Sequence, residues 1–234
     1  MKITKVSFSA GEERLAGNII YGDGESKPRL LFLHGAGKAT KERSSYLAFE
    51  LAKHGIGSFS FDFSGHGESS GRLEESSLKK RLAEASVALH FLDKSEGITV
   101  CGSSMGAHIA LELVKTAPVK TLVLFCPAIY DRNAVPVPFN RGFSAIIRRQ
   151  GSWRNTDVFG SICKFTGNLL IVTGEKDEVI PGGVIEALDS QAGNAKNKEI
   201  IRVPDAGHQI HTWLSEHSDY ASLVIKRIVQ MSDS

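Results

Sequence analysis

The chain has 234 residues, with 28 lysines and arginines against 26 aspartates and glutamates, and 41% of its residues are hydrophobic. This composition is typical of a folded globular protein and excludes disordered, collagenous and coiled-coil chains. The formal net charge of +2 does not provide the broad basic surface that non-specific nucleic-acid binding requires, so we expect no nucleic-acid partner.

The sequence also bears on where the protein resides. No run of about 18 apolar residues occurs, and charged residues interrupt residues 1–20, so we expect neither a signal peptide nor a stable membrane anchor. The three cysteines, Cys101, Cys126 and Cys163, are an odd number without metal-site spacing, which favours a reducing cytoplasm. The length fits a single domain over residues 1–234, and no feature of the sequence indicates an oligomeric state.

Eight segments have the residue pattern of strands, and helical segments lie between them. The predicted strands are Ile3–Phe8, Leu15–Tyr21, Leu30–His34, Gly57–Phe61, Ile98–Gly102, Thr121–Phe125, Leu169–Thr173 and Glu199–Val203. The first two alternate polar and apolar residues around a turn at 9–13, which predicts an antiparallel hairpin at one edge. Continuous apolar runs in the later strands are typical of parallel strands buried on both faces. We therefore predict an α/β fold with an eight-stranded, mostly parallel sheet and helices on both faces.

Two apolar stripes have the spacing of helices that pack on such a sheet. The first consists of Leu78, Leu82, Ala85, Leu89 and Leu92. The second consists of Leu214, Ala221, Val224, Ile228 and Met231. Neither stripe indicates more than core packing.

Residues 127–165 depart from this alternation. They contain three prolines, several aromatic residues without a clean period, and six basic residues against two acidic ones. Insertions of this length are usually functional, so we predict a small cap that covers an acyl pocket and presents Arg148 and Arg149 to anionic substrates. The alternative is a solvated helical flap.

Two stretches match G-x-S-x-G, the pattern of a nucleophile elbow, at residues 102–106 and 67–71. An elbow needs a strand before the serine and a helix after it, because its sharp turn projects the serine from the sheet edge. A predicted strand precedes Ser104 and a helical segment follows it, whereas Ser69 lies between polar segments. The pattern therefore favours Ser104 as the nucleophile and places Ser69 in a loop.

A serine nucleophile needs a base within hydrogen-bond distance and an acid that orients the base. His208 follows the last predicted strand in a short polar loop, where its side chain would project over the carboxyl edge of the sheet. His211 and His217 lie on or beside the last helical segment, where a solvated position is expected. His208 and His211 have no third ligand at suitable spacing, so no metal is expected.

Asp177 is the candidate acid because it directly follows a strand and lies between the serine and the histidine in the chain. Glu175, Glu178 and Asp205 are the alternatives, and the residues by themselves leave them open.

Backbone N–H groups must also stabilise the charge on the carbonyl oxygen. One donor is expected from Met105, after the nucleophile, and the other from Ala36 in the glycine-rich loop after the third strand. This loop does not match a phosphate-binding pattern, because position 32 is Phe where glycine is needed and Lys38 is followed by Ala39.

Several motifs resemble those of the α/β-hydrolase superfamily, in particular the group of monoacylglycerol lipases, cinnamoyl or feruloyl esterases and serine aminopeptidase-like hydrolases. They are found, in family order, at residues 34–37, 61–69, 102–106, 174–181 and 206–208. The resemblance implies an α/β-hydrolase fold, a structural turn at residues 62–67 and no cofactor. Two departures are Ser103, where these relatives often carry a larger residue, and a short segment before the acid, which implies a small cap and an open site.

The residues and the resemblance together predict a serine hydrolase with a small acyl ester as substrate. Ser104 would attack the carbonyl, His208 would transfer the proton, Asp177 would orient His208, and the amides of Ala36 and Met105 would bind the oxyanion. The alternatives are a thioesterase, an amidase or peptidase, an acyltransferase, or an inactive binding protein on the same fold.

We expect Ser104→Ala to abolish ester hydrolysis and Ser69→Ala to leave most of it, because only Ser104 has the strand and helix that an elbow requires. The measurement is kcat/KM with a p-nitrophenyl ester. Comparable losses in the two variants, or retained activity in Ser104→Ala, would contradict the assignment.

Overall fold

The computed structural model describes residues 3–234, so Met1 and Lys2 of the predicted domain lie outside the described residues. One sheet has the strand order β1-β2-β4-β3-β5-β6-β7-β8. Its strands are β1 (Ile3–Ala10), β2 (Glu13–Ile20), β3 (Leu30–Leu33), β4 (Ser58–Phe61), β5 (Ile98–Ser103), β6 (Val119–Phe125), β7 (Asn168–Gly174) and β8 (Asn197–Val203). The α-helices are α1 (Ser45–Lys53), α2 (Leu78–Ala88), α3 (Met105–Leu113), α4 (Ser144–Ile147), α5 (Val158–Lys164), α6 (Gly182–Gln191), α7 (Ile210–Glu216) and α8 (Ser218–Asp233).

The sheet is mixed only at its β1 edge. β2 is antiparallel to both β1 and β4, whereas the strands from β4 and β3 through to β8 pair in parallel. The β1–β2 hairpin closes through Gly11 and Glu12, a tighter turn than the predicted 9–13, and Gly11 has a φ of 61° that glycine adopts without strain. The predicted eight-stranded, mostly parallel sheet is confirmed, with strand ends that differ by at most two residues.

Central strands bury both of their faces because helices cover the sheet on either side. Along β3, Leu31 and Leu33 join one hydrophobic cluster, and Leu30 and Phe32 join the other. This division follows from the strand period of two, which directs successive side chains to opposite faces. The continuous apolar runs therefore predict parallel strands because both faces of these strands are buried.

The first cluster packs under α2, α3, α5 and α6, and the second under α1, α7 and α8. Predicted helices on both faces are thus confirmed. Between residues 3 and 234, no helix combines the length and the apolar character that crossing a membrane requires.

Helix α2 differs from its predicted stripe. It ends at Ala88, Leu89 begins a separate 3-10 turn, and Leu82 is only partly buried. The buried face instead includes Arg81 and Glu84, which are both almost fully inaccessible to solvent. An apolar pattern locates the helix, but it does not reveal buried charges on the same face.

Residues 127–165 fold into short pieces that include α4, α5 and 3-10 turns. Phe143, Val158 and Ile162 join the first hydrophobic cluster. Backbone bonds attach the segment to the start of α2, from Phe139 N–H to the Ser76 carbonyl (2.9 Å) and from Lys79 N–H to the Val135 carbonyl (2.9 Å). The segment is therefore attached to the start of α2, and its helix α5 packs against α3 and α6.

Glycines allow β5 and α3 to approach their neighbours closely. A Cβ on Gly106 would meet the carbonyl oxygens of Leu33 and His34, and one on Gly102 would meet the backbone of Ala107. These contacts involve backbone atoms, which cannot rotate away. The start of α3 is therefore held against β3 at a distance that only glycine permits.

We expect Gly106→Ala to lower the free energy of unfolding by at least about 2 kcal/mol, because the added methyl group would overlap backbone atoms at a site that cannot expand. Gly160→Ala is the matched control in helix α5, where an added Cβ meets nothing within 4 Å. That change should be neutral or stabilise by up to ~1 kcal/mol through helix propensity. Urea unfolding of both variants measures the difference, and equal stabilities would contradict it.

Candidate active site

Ser104 occupies the turn between β5 and α3 in an unusual backbone conformation. Its φ of 51° and ψ of −114° lie in a region that costs a non-glycine residue of order 1–3 kcal/mol. Its N–H donates to the Phe125 carbonyl (2.9 Å), and its own carbonyl accepts from the N–H groups of Ala107 (3.0 Å) and Ala128 (3.2 Å). Neighbouring strands and helix α3 therefore impose the turn, which directs the Ser104 hydroxyl out of the sheet edge.

His208 and Asp177 reach Ser104 from the loops that follow β8 and β7. His208 Nε2 lies 3.0 Å from Ser104 Oγ, and His208 Nδ1 lies 2.9 Å from Asp177 Oδ2. Asp177 Oδ1 accepts from the N–H groups of Val179 (2.9 Å) and Ile180 (3.1 Å). Burial raises the pKa of Asp177, but the hydrogen bonds from His208 and these N–H groups outweigh it and hold that pKa below its usual value. The ionised Asp177 therefore favours the His208 tautomer with its proton on Nδ1.

The competing candidates from the sequence lie elsewhere. Glu175 and Glu178 are exposed, and Asp205 forms a surface ion pair with Lys176 (2.5 Å). Ser69 lies in a loop, where its hydroxyl donates to the Asp62 carbonyl (2.6 Å). The structure thus brings Ser104, His208 and Asp177 into one line of hydrogen bonds and leaves the others outside it.

Met105 and Ala36, the two predicted oxyanion donors, belong to segments that border Ser104. Met105 is the first residue of α3, so its N–H has no partner within the helix. Ala36 follows β3 in a loop that lines the same cleft as Ser104. This loop approaches Ser104 closely, since even a Cβ on Gly35 would lie only 3.3 Å from Ser104 Cβ. The arrangement suits a pair of donors to an oxyanion formed at Ser104.

The loop that carries Ala36 is held in place by the buried side chain of Arg81, which the sequence analysis does not identify as a functional residue. The Arg81 guanidinium donates to the Gly35 carbonyl (3.3 Å) and to His66 Nε2, while His66 Nδ1 bonds the Ala39 carbonyl (3.0 Å). Burial, aided by the Arg81 charge, lowers the pKa of His66 to about 4, so its ring is neutral. Arg81 and His66 therefore fix both ends of residues 35–39.

Arg81 remains charged although no part of it is exposed. Burial lowers its pKa to about 10, which still exceeds neutral pH. Its guanidinium lies 4.9 Å from the ring centre of Phe63 and 5.2 Å from that of Phe139, contacts that stabilise a cation. The only available signal in the sequence is its position three residues after Leu78, on the buried face of α2.

His211 differs from its expected solvated position. It is buried, with Nε2 2.6 Å from Ser103 Oγ and Nδ1 3.2 Å from the Tyr46 hydroxyl. Burial lowers the pKa of His211 to about 3, with a smaller effect of the Arg43 charge. The neutral ring therefore holds the Ser103 hydroxyl beside Ser104. The short loop before α7 gave no indication of this, because the partners come from distant elements.

One set of three metal-ligand types lies close together within residues 3–234. Ligand atoms of Cys126, Asp177 and His208 are all within 4.8 Å of one another. Both Asp177 oxygens and His208 Nδ1 already take part in hydrogen bonds. Burial raises the pKa of the Cys126 thiol to about 12, so it is protonated and a poor ligand. Asp177 and His208 are better suited to the line of hydrogen bonds with Ser104 than to binding a metal.

Two clefts meet at Ser104. The basic cleft, of about 410 Å³, is lined by Lys38, Arg43, Ser103, His208, Gln209 and His211, together with the loop of Ala36. The apolar cleft, of about 440 Å³, is lined mainly by Ile129, Ile147, Trp153, Ile180, Pro181 and Val184. Val179, which is 63% exposed, borders both. Each has a volume typical of small-molecule pockets.

Comparison with protein families matches residues 24–157, more than half of the chain, to the family described as serine aminopeptidase, S33. Bem46 from Schizosaccharomyces pombe is 27% identical over 74% of this chain and 59% of its own length. Human alpha/beta hydrolase domain-containing protein 17B is 27% identical over 66% of this chain and 52% of its own length. The chain therefore spans between half and two thirds of the length of these curated relatives.

Solved structures share the fold at low sequence identity. Est1E from Butyrivibrio proteoclasticus, solved with ferulic acid, has a TM-score of 0.76 at 19% identity and covers 98% of this chain and all of its own. The serine hydrolase CCSP0084 from Cycloclasticus zankles has a TM-score of 0.77 at 15% identity, with complete coverage of both chains. The fold is thus that of the α/β hydrolases.

The buried neutral ring of His211 predicts acid sensitivity. Its pKa falls from 6.5 to about 3 on folding, so the unfolded chain binds more protons below pH 6.5 and the stability present above that pH is lost on acidification. We expect His211→Gln to reduce the slope of unfolding free energy between pH 6 and pH 4.5 by about 1.4 kcal/mol per pH unit.

His54→Gln is the control, because His54 is exposed at the end of α1. Urea unfolding at several pH values gives the slopes. An unchanged slope in His211→Gln, or an equal change in His54→Gln, would contradict the prediction.

Proposed function

The chain belongs to the serine aminopeptidase S33 family of α/β hydrolases, and we propose that it hydrolyses carboxylic esters through an acyl-enzyme on Ser104. The observation that carries this proposal is the line of hydrogen bonds from Ser104 through His208 to Asp177, at the junction of two clefts. A serine with an oriented base and adjacent N–H donors has the groups that acyl transfer requires.

In the first half of the reaction, His208 Nε2 accepts the Ser104 proton while Oγ attacks the ester carbonyl carbon. The carbonyl electron pair moves to its oxygen, which the N–H groups of Ala36 and Met105 stabilise. When the bond to the alcohol oxygen breaks, that oxygen takes the proton from His208. Asp177 keeps the ring oriented and stabilises its transient positive charge.

In the second half, a water molecule takes the place of the alcohol. Its proton passes to His208, its oxygen attacks the acyl carbonyl, and the proton returns to Ser104 Oγ as the acid leaves. Free enzyme is regenerated without any added group. The neutral loop residues His34 and His66 support the oxyanion donors through backbone contacts and need not change charge.

The two clefts support an ester substrate over an aminopeptidase substrate. Lys38 and Arg43 line one cleft and Arg148 the other, and neither lining includes a carboxylate among the described residues. A peptide with a free N-terminal ammonium would need an anionic partner, so this charge distribution opposes it. The apolar cleft suits an acyl chain instead.

Residues 127–165 contribute Ile147, Arg148, Ser152 and Trp153 to the wall of the apolar cleft. This supports the proposal that the segment acts as a small cap over the acyl group. The cysteines Cys101, Cys126 and Cys163 are all unpaired, which supports a reducing compartment such as the cytoplasm.

The test compares p-nitrophenyl esters, acyl thioesters and aminoacyl amides as substrates of the same preparation. We expect esters to have the highest kcat/KM and Asp177→Asn to lower kcat for them by at least about a thousandfold with unchanged unfolding temperature, because the imidazole would adopt the wrong tautomer. Asp205→Asn is the matched control, since within residues 3–234 the ion pair of Asp205 is with the surface residue Lys176, and it should retain activity.

A fluorophosphonate probe should label wild-type protein on Ser104. Absence of labelling would favour an inactive binding protein, and faster turnover of thioesters or amides would reassign the reaction. Equal loss of kcat in the two aspartate variants would contradict the role of Asp177.

A further inference from the structure

The basic cleft carries an uncompensated positive charge beside the proposed nucleophile. Arg43 is half-buried, and its Nη1 donates to Gln209 Oε1 (2.9 Å) and to Thr212 Oγ1 (2.9 Å). Both acceptors are neutral. Among the described residues no carboxylate forms an ion pair with Arg43, and its neighbour Glu42 faces Lys41 instead (3.8 Å).

These two bonds hold the guanidinium in place through Nη1 alone. A guanidinium has five N–H donors in a rigid plane. The three N–H groups on Nη2 and Nε therefore remain available for another acceptor. Because Gln209 and Thr212 already restrict the side chain, a ligand that binds Arg43 loses less conformational entropy in ordering it. Lys38, which is exposed, adds a second positive charge to the same cleft.

Ser103 provides a neutral hydrogen-bonding group in this cleft. Its hydroxyl is only 2.6 Å from His211 Nε2, and the other ring nitrogen of His211 lies 3.2 Å from the Tyr46 hydroxyl. His211 also packs on Phe125, with ring centres 4.5 Å apart. The ring cannot turn without losing these contacts. With the Tyr46 O–H donating to Nδ1, the His211 Nε2–H donates to Ser103 Oγ, and the Ser103 O–H stays available for a ligand.

The position of His208 decides which part of an ester this cleft takes. The proton that leaves with the alcohol comes from His208 Nε2, so the alcohol oxygen must lie within hydrogen-bond distance of that atom. His208 lines the basic cleft, whereas it does not line the apolar cleft. The alcohol group therefore extends toward Arg43 and the acyl group toward the apolar cleft.

We propose that the basic cleft is a subsite for an anionic alcohol group, and that the protein selects esters whose leaving group carries an oxyanion such as a carboxylate, bound by Arg43 and Ser103. This inference rests on the proposed ester hydrolysis and adds its substrate class. The proposed subsite binds the anion on the leaving-group side of the ester, at Arg43. The sequence instead predicted that a cap presents Arg148 and Arg149 to anionic substrates. Arg148 is exposed and forms no side-chain hydrogen bond or ion pair within the described residues.

The test uses two butyrate esters, one of 4-hydroxybenzoate and one of its methyl ester. The two leaving groups have the same ring, and only the first is anionic. The preference is the kcat/KM of the anionic ester divided by that of the neutral ester. Comparing this preference between a variant and wild type removes the intrinsic difference in reactivity of the two esters. We expect Arg43→Gln to lower the preference about tenfold, mainly by raising the KM of the anionic ester, because it removes a charge-assisted hydrogen bond.

Arg43→Lys keeps the charge and should retain part of the preference, which a purely structural role for Arg43 would not predict. Ser103→Ala should lower the preference about threefold, as expected for a neutral hydrogen bond. Arg149→Gln is the matched control, since Arg149 is exposed and lines neither cleft. In wild type the preference should shrink at 1 M salt, where the screening length is about 3 Å.

A second measurement does not depend on turnover of the anionic ester. Free 4-hydroxybenzoate should inhibit hydrolysis of the methyl-ester substrate competitively, and about tenfold more weakly in Arg43→Gln. An unchanged preference and unchanged inhibition in Arg43→Gln, with the neutral ester still hydrolysed, would overturn the anionic subsite and leave the proposed function standing. Failure of wild type to hydrolyse either ester would instead refute the proposed function.

Discussion

The backbone at Ser104 has a φ of 51°, and the rest of the site depends on how the surrounding structure maintains it. Such a conformation costs of order 1–3 kcal/mol and persists only where neighbouring groups impose it. Here β6 accepts the Ser104 N–H, and glycines at 102 and 106 let α3 pack directly on β3 and β5. Without that close approach, the hydroxyl would not project from the sheet edge toward His208.

A second constraint acts on the opposite side of Ser104. The loop with the Ala36 N–H is held by Arg81 and His66, a buried cation and a neutral imidazole that bond its carbonyls. Fixed dipoles and a fixed charge need no reorganisation when negative charge develops nearby.

The two sides of the site also differ in polarity, because residues 127–165 line the apolar cleft while Arg43 lines the other. In the proposed reaction, this asymmetry would give the two halves of an ester distinct environments.

The sequence alone was sufficient for the number of strands, for their positions along the chain and for the expectation that His208 lies over the carboxyl edge of the sheet. Apolar runs and their spacing depend on local periodicity, which is why β1 to β8 were predicted to within two residues at each end. Strand, glycine and serine order likewise favoured Ser104, and the loop after the last strand favoured His208, while Asp177 was the first of four candidate acids. The structure brings these three side chains within hydrogen-bond distance, and their catalytic roles remain predictions.

Tertiary structure decided what periodicity cannot express. Arg81 sits on an apolar helix face, and His211 follows a loop that resembles surface, yet both are buried. Arg81 bonds Gly35, 46 residues away in the chain, and His211 bonds Ser103, 108 residues away. The choice of Asp177 over Glu175, Glu178 and Asp205 as the partner of His208 also needed coordinates, since all four lie close to strand ends. Local sequence determines which backbone segments form, whereas the neighbours of a polar side chain depend on which distant segments pack around it.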